Sequence, residues 1–311
     1  MIGLVSQVAE KVGISSQACR RIASSAYLRY KKFVIPKSNG RDFRFVAQPA
    51  KEVKAIQRAL VEILGAYLPV HDSATAYRIG LSICDNARRH ASAKFITKLD
   101  FSDFFPSIDA PALSAHLRAH IANISDAEVM FIMNACLWRP EGRQVLCIGA
   151  PSSPMLSNSV MFEFDTLISG LASQADVVYT RYSDDITVSS REPDKLRGIE
   201  IAIRKACATM SHPKLEINEK KRVAVGRGNA MRVTGLTLTN AADVSVGRLR
   251  KRGVRAGINR YVNGDLDDDQ VERLKGELAF VLSVEPNFAE ALLRSYGAMS
   301  LSKILPRKVL P

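Results

Sequence analysis

The 311-residue chain is 47% hydrophobic and 24% charged, which excludes a disordered polymer and leaves length for two or three subdomains with cores of their own. Its formal net charge of +13 points to a polyanionic partner, because cations that neutralise phosphates release counterions. No apolar run approaches the ~18 residues that cross a bilayer, and the N-terminus lacks a signal-peptide pattern, so a cytoplasmic protein with no membrane attachment is expected. Cys19, Cys84, Cys136, Cys147 and Cys207 are scattered without a Cys-x-x-Cys pair, so neither a zinc knuckle nor a disulfide framework is indicated.

Residues 1–30 read as an N-terminal helical segment, with Arg20, Arg21, Arg29, Lys31 and Lys32 gathered toward its end. After Pro49, Val53, Ile56, Leu60, Ile63 and Leu64 recur at helical spacing, opposite Lys51, Lys54 and Arg58. Phe95 to Leu99 read as a strand that delivers Asp100 at its end, and Pro106 stops regular pairing soon after. The stretch 110–150 is expected to add helix. Within it His116 and His120 stand one turn apart, but with no third ligand they read as structural. Pro151 and Pro154 suit a turn that feeds a first helical turn. Val177–Tyr182 and Ile186–Ser189 are rich in β-branched and aromatic residues and read as a hairpin with Ser183-Asp184 at its turn. Ile199, Ile203, Ala206, Cys207 and Met210 mark a helix that covers the sheet.

The last seventy residues read as mostly helical. Arg248, Arg250, Lys251, Arg252, Arg255 and Arg260 fall close together with no acidic residue among them, as expected of an element that tracks a phosphate backbone or an RNA minor groove. Asp267-Asp268-Asp269 suits a helix N-terminus, and Val271, Leu274, Leu278 and Val281 form its apolar stripe.

An isolated acidic pair at a hairpin tip is ordinarily a solvated turn. Here Asp184 and Asp185 have a third carboxylate, Asp100, at the end of another strand, and together they offer ligands for two Mg²⁺ ions. Such a site suits phosphoryl transfer, in which metal coordination activates a hydroxyl and stabilises the leaving oxygen.

Tyr182-Ser183-Asp184-Asp185 resembles the acidic box of the reverse transcriptase family, and Asp100-Phe101-Ser102-Asp103-Phe104-Phe105 resembles its first catalytic box. Gly149-Ala150-Pro151-Ser152-Ser153-Pro154 is similar to a third segment, except that Ile148 stands where the family often has glutamine. Asn86-Ala87-Arg88-Arg89-His90 and Val233-Thr234-Gly235 match the NAxxH and VTG signatures of one branch, the bacterial retron reverse transcriptases. The resemblance implies Asp100, Asp184, Asp185 and the Phe101 backbone carbonyl as metal ligands. It implies nucleotide contacts from Arg44, Gly149, Ala150 and one of Lys220 or Lys221. Phe105 would lie under the incoming sugar and exclude a 2′-hydroxyl. RNA contacts are implied for Asn86, His90, Val233, Thr234 and Gly235 and for the basic run Arg248, Arg250, Lys251, Arg252 and Arg255.

The expected fold is α+β, a right-hand polymerase with an antiparallel palm sheet backed by helices. Its parts are the N-terminal segment 1–30, fingers 31–94, palm 95–109, a fingers and palm junction 110–153, palm 154–240 and a helical thumb 241–311. The resemblance further implies reverse transcription of a cognate noncoding RNA from an internal 2′-hydroxyl, giving a branched RNA–DNA used in antiphage defence. Deoxynucleotides, a separately encoded effector and a host RNase H would be its partners. A group II intron-like reverse transcriptase, another palm-fold phosphotransferase and a non-catalytic RNA-binding scaffold are the alternatives; the NAxxH and VTG pair favours the retron branch over the first.

Overall fold

The computed structural model describes residues 3–36 and 43–305. Residues 37–42 of the expected fingers and 306–311 of the expected thumb lie outside the described residues. The chain forms two compact units, Met1–Ile79 with Thr97–Ala224 and Gly80–Ile96 with Val225–Pro311.

In the first unit, helices Leu4–Val12, Ser16–Ser24, Lys51–Leu64 and Asp126–Cys136 pack together. Each turns one apolar stripe inward: Leu4, Val5 and Val8 on the first, Val53, Ile56 and Leu60 on the third, all buried. Ser15 caps the second helix by accepting from Ala18 N–H, and Ser125 with Glu128 forms a capping box on the fourth. Between the second and third helices, β1 (Tyr30–Pro36) and β2 (Phe43–Pro49) pair antiparallel, Tyr30 opposite Pro49 and Pro36 opposite Phe43. This ribbon was not legible in the sequence. Val34, Phe43 and Phe45 are exposed apolar residues, so neither strand shows the alternation of a half-buried strand.

The four-stranded sheet runs in the order β4 (Val178–Tyr182), β5 (Asp185–Ser190), β3 (Phe95–Asp100), β6 (Val223–Gly226). β4 and β5 are the expected hairpin, with Tyr182 opposite Asp185. Helix Phe162–Gln174 packs on β4 and helix Pro193–Thr209 on β5, which accounts for the complete burial of Ile186 and Val188. The expected helix after Pro151 is Ser153–Val160, with Pro154 in its first turn.

The second unit departs from the expected boundaries. Residues 80–94, expected with the fingers, and 225–240, expected with the palm, share one core with the C-terminal helices. Helix Ile83–Arg89 packs on an antiparallel sheet of β7 (Arg232–Val233), β8 (Leu236–Leu238) and β9 (Val244–Ser245). Ala87, Val233 and Leu236 are buried there with Ile258, Leu278 and Leu292 of the following helices, and this shared burial groups segments far apart in the chain. Those helices are Arg248–Val262, Asp268–Val284 and Phe288–Tyr296. Asp267 caps the second of them by accepting from Gln270 N–H at 2.8 Å, as the acidic run predicts. No described helix is long and apolar enough to cross a membrane.

Candidate active site

The acidic turn has a backbone conformation suited to a tight hairpin. Ser183 has φ 60°, whereas Asp184 is not left-handed, the pattern of a type II′ connection with positive φ at its first central position. The turn brings Asp184 to the end of β3, where Phe101 N–H donates to the Asp184 carbonyl at 3.1 Å. On the other side, Asn218 N–H donates to the Asp100 carbonyl and Ser102 N–H to the Glu216 carbonyl, both at 2.8 Å. Asp100-Phe101-Ser102 is therefore clamped between the hairpin turn and the Glu216–Asn218 segment. The Phe101 ring is buried, stacked with Phe104 and edge-on to Phe164.

The Glu216–Asn218 segment also separates two lysines that sequence left equivalent. The Asn218 side chain accepts from Lys220 N–H, starting a 3₁₀ turn over Glu219–Lys221. That turn sends Lys221 back to Asp100, its ammonium 2.8 and 2.7 Å from the two carboxylate oxygens. Lys220 makes no such contact and is exposed.

Burial raises the carboxyl pKa of Asp184, and the neighbouring Asp100 charge raises it further; Lys221 and Arg44 oppose this. Burial likewise pushes Asp185 up to about 6, with Lys98 opposing and Asp184 and Asp100 adding to the rise. Asp184 and Asp185 thus sit close enough to neighbouring carboxylates for like charge to add to burial in disfavouring their ionised forms. Oxygen-only, acceptor-only and mutually repelling donors suit a hard divalent cation in kind. Among the described residues no three such side chains already converge as a metal cage, and the Asp100 oxygens are engaged by Lys221.

Arg44 lies on β2, exposed, and its charge reaches Asp184. Phe105 is half-buried in the short helix Phe104–Ser107, its ring edge-on to Phe104. Gly149 has φ 108°, and a Cβ there would meet the Ala47 carbonyl and Val46 Cγ1 at 2.9 Å, so only glycine lets this turn pass β2. Next to it, Ala47 N–H donates to the Ile148 carbonyl at 2.9 Å. The position that departs from the family pattern thus contributes its backbone to the turn.

Beneath the hairpin lies a network that sequence reading missed. Arg181, fully buried on β4, pairs with fully buried Asp165 of helix Phe162–Gln174, Nη2 to Oδ2 at 2.6 Å and Nε to Oδ1 at 2.9 Å. The Tyr179 hydroxyl donates to Asp165 Oδ1 at 2.6 Å. Arg181 Nη1 donates to the Ser183 carbonyl at 3.0 Å and to Asn158 Oδ1 at 3.2 Å. The guanidinium therefore holds the acidic turn from below. The one available signal was an arginine inside a strand of β-branched and aromatic residues.

The expected RNA-contact residues differ in their exposure. Asn86, His90 and Val233 are buried in the second unit, so their side chains offer no surface to RNA. Burial drives the His90 pKa down to about 3 and keeps the ring neutral. Thr234 (φ 47°) and Gly235 (φ 82°) form the two-residue turn between β7 and β8, a type I′ pattern, and the Thr234 hydroxyl donates to the Ile83 carbonyl at 2.9 Å. The NAxxH and VTG signatures thus meet as packing partners. In the basic helix, Arg250 stacks on Phe280 and pairs with Glu277, Lys251 pairs with Glu285, and Arg255 lies over Phe288. Arg248 and Arg252 are exposed and, among the described residues, make no ion pair. His116 and His120 are structural as expected: His116 Nε2 is 2.7 Å from the Ser159 hydroxyl, and His120 faces Glu163.

Most of the chain is similar in sequence to known proteins. Residues 35–238 match the family described as reverse transcriptase (RNA-dependent DNA polymerase). The chain is 37% identical to the retron Ec83 reverse transcriptase of Escherichia coli over 88% of this chain and 89% of that one. It is 30% identical to the retron Mx65 reverse transcriptase of Myxococcus xanthus over 85% of this chain and 64% of that one. A structure of telomerase from Candida tropicalis in complex with a telomeric RNA fragment aligns with a TM-score of 0.49 at 14% identity, over 90% of this chain and 56% of that one. The family match spans both acidic boxes and the clamp between them, and the retron likeness runs through nearly the whole chain: it belongs to the reverse transcriptase family, in the retron branch, and is an RNA-directed DNA polymerase.

Proposed function

We propose that this polymerase copies a cognate noncoding RNA into DNA, starting from a 2′-hydroxyl within that RNA and yielding a branched RNA–DNA that serves in antiphage defence. The observation that carries the polymerase chemistry is the backbone bond from Phe101 N–H to the Asp184 carbonyl, 3.1 Å, which sets the acidic turn beside Asp100 at one end of the sheet. Asp100, Asp184 and Asp185, with the Phe101 carbonyl, would hold two Mg²⁺ ions. When bound, these would lower the pKa of the priming hydroxyl and neutralise charge on the phosphoryl oxygens. Lys221 holds the Asp100 carboxylate in place until it exchanges that partner for the triphosphate of a deoxynucleotide. Arg44 offers a guanidinium fork to the same phosphates. The Gly149-Ala150 turn is the backbone surface along the nucleotide, and Phe105 bars a ribose 2′-hydroxyl. In the first step the 2′-oxygen bonds to the α-phosphorus and pyrophosphate leaves; each later step uses the growing 3′-oxygen.

Arg248 and Arg252 are the basic-helix cations free to meet RNA phosphates, while Arg250, Lys251 and Arg255 chiefly order the helical unit. The branched product, its use in defence, a separately encoded effector and template removal by a host RNase H rest on likeness to the retron branch. The test is co-expression with the DNA flanking the gene, followed by nuclease analysis of co-purified nucleic acid. Single-stranded DNA joined to RNA, lost in Asp184→Asn/Asp185→Asn, is expected. RNA alone, unchanged by those substitutions, would favour the scaffold.

A further inference from the structure

Tyr77 lies outside both acidic boxes, yet its hydroxyl is 3.2 Å from the Ser183 hydroxyl, in the acidic turn itself. Its backbone has φ 60°, a left-handed conformation that a bulky residue avoids and that glycine or asparagine would adopt more readily. Its side chain nevertheless remains 53% exposed. A tyrosine used for packing would be buried, and one left on the surface by chance would have no reason to hold a strained backbone.

The strain is imposed by a strap of hydrogen bonds. Arg181 N–H donates to the Ser73 carbonyl and Thr75 N–H to the Arg181 carbonyl, both at 2.8 Å. Asn158 Nδ2 donates to the Ala76 carbonyl at 2.8 Å while its Oδ1 accepts from Arg181. Ala74 and Ala76 are fully buried. The segment Ser73–Ala76 is thus bound along β4, and the network that supports the catalytic turn also fixes the residue that emerges beside it. Tyr182 is close by, since the Tyr77 phenol contributes to raising its pKa.

We propose that Tyr77 is a platform for the nucleotide that carries the attacking hydroxyl. Its ring offers a π-face to the sugar or base of that nucleotide, and its tether to Ser183 fixes the distance from that nucleotide to Asp184. The inference rests on the polymerase reading of the acidic site. The same contact would serve the branch nucleotide at initiation and the 3′-terminal nucleotide during elongation, two sources of one chemistry.

The test uses the full chain with a DNA primer annealed to an RNA template, the primer ending in 5-iodo-deoxyuridine. Irradiation is expected to cross-link the terminal base to the peptide containing Tyr77. Tyr77→Leu and Tyr77→Gly should raise the primer–template KM by about tenfold or more, with the deoxynucleotide KM unchanged, because base–aromatic stacking is lost. Tyr77→Phe keeps the ring but loses the hydroxyl tether to Ser183, so it should keep the primer–template KM while lowering kcat, because the distance to Asp184 is no longer fixed. Tyr77→Gly should melt no lower than wild type, since glycine relieves the left-handed strain, whereas a merely structural tyrosine would lose stability. A branched product lost in Tyr77→Leu while primer extension survives would assign the platform to initiation; the reverse would assign it to elongation. Wild-type KM in both the leucine and glycine variants, or a cross-link mapped elsewhere, would overturn the platform while leaving the polymerase intact. Failure of the wild-type chain to extend any primer would instead overturn the reading beneath it.

Discussion

Asp165→Asn probes the support of the acidic turn with almost no change of shape. It leaves Arg181 as a fully buried guanidinium whose two closest contacts, at 2.6 and 2.9 Å, have lost their counter-charge. Breaking one side of a buried ion pair costs about 3–5 kcal/mol, mostly the desolvation of the orphaned charge. With a urea dependence of roughly 2–3 kcal/mol per molar for a unit of this size, the midpoint should fall by about 1–2 M. The only tryptophan, Trp138, is in the same unit as the pair, so its fluorescence reports the relevant transition. The companion variant Arg181→Met/Asp165→Leu removes both charges and should recover much of that loss, because apolar pairs replace buried ion pairs at little cost. Polymerisation should stay impaired in the recovered variant, since the Ser183 carbonyl has lost the donor at 3.0 Å that holds the turn. A midpoint within about 0.3 M of wild type for Asp165→Asn, or a double variant as unstable as the sum of the singles, would refute the assignment.

Asp185→Asn should abolish synthesis yet raise the melting temperature by a few degrees at about pH 7. The sign follows from a folded pKa of about 6 against an ordinary 3.8: protonation favours the folded form, so stability drains as pH rises through that window and the variant is spared. Calorimetry at about pH 7 and about pH 4 checks this, and an equal gain at both would count against it. Phe105→Ala should admit ribonucleotides, read as the ratio of kcat/KM for matched ribo- and deoxynucleotides; persistent exclusion would remove Phe105 as the sugar gate. Arg248→Ala/Arg252→Ala should weaken RNA binding and lower the salt slope by about 2 without changing the melting temperature. Lys251→Ala should destabilise the second unit, because Glu285, which accepts from Ser245 and Val246 as well, loses its cation at 2.5 Å.

The acidic hairpin and the strand ending at Asp100 were legible because strand residues flank each carboxylate in runs with clear boundaries. The same holds for helix Lys51–Leu64, whose inward stripe was read residue by residue, and for the Asp267 cap. The support beneath the hairpin was not legible. A charged side chain in a strand reads as solvent-facing, and the identity of its buried partner depends on how helix Phe162–Gln174 crosses β4. Lys221 could not be told from Lys220 because only the 3₁₀ turn decides which of them points at Asp100. The burial of Asn86 and His90 was not legible either, because polar residues in a short motif read as surface groups until the packing is known. The boundaries of the second unit escaped because its two segments bury apolar surface against each other across a long separation in the chain.

That separation matters during synthesis. The roughly 130 residues between Ile96 and Val225 take the ribosome on the order of ten seconds to add. Throughout that interval Cys84, Ala87 and the buried amide of Asn86 lack the strands and helices that later enclose them. The first unit can begin to fold on the nascent chain while the second waits for the last helices to emerge. A polypeptide stopped before Val225 would therefore carry the acidic turn together with an unfinished apolar surface, making it a substrate for chaperones and proteases rather than a smaller enzyme.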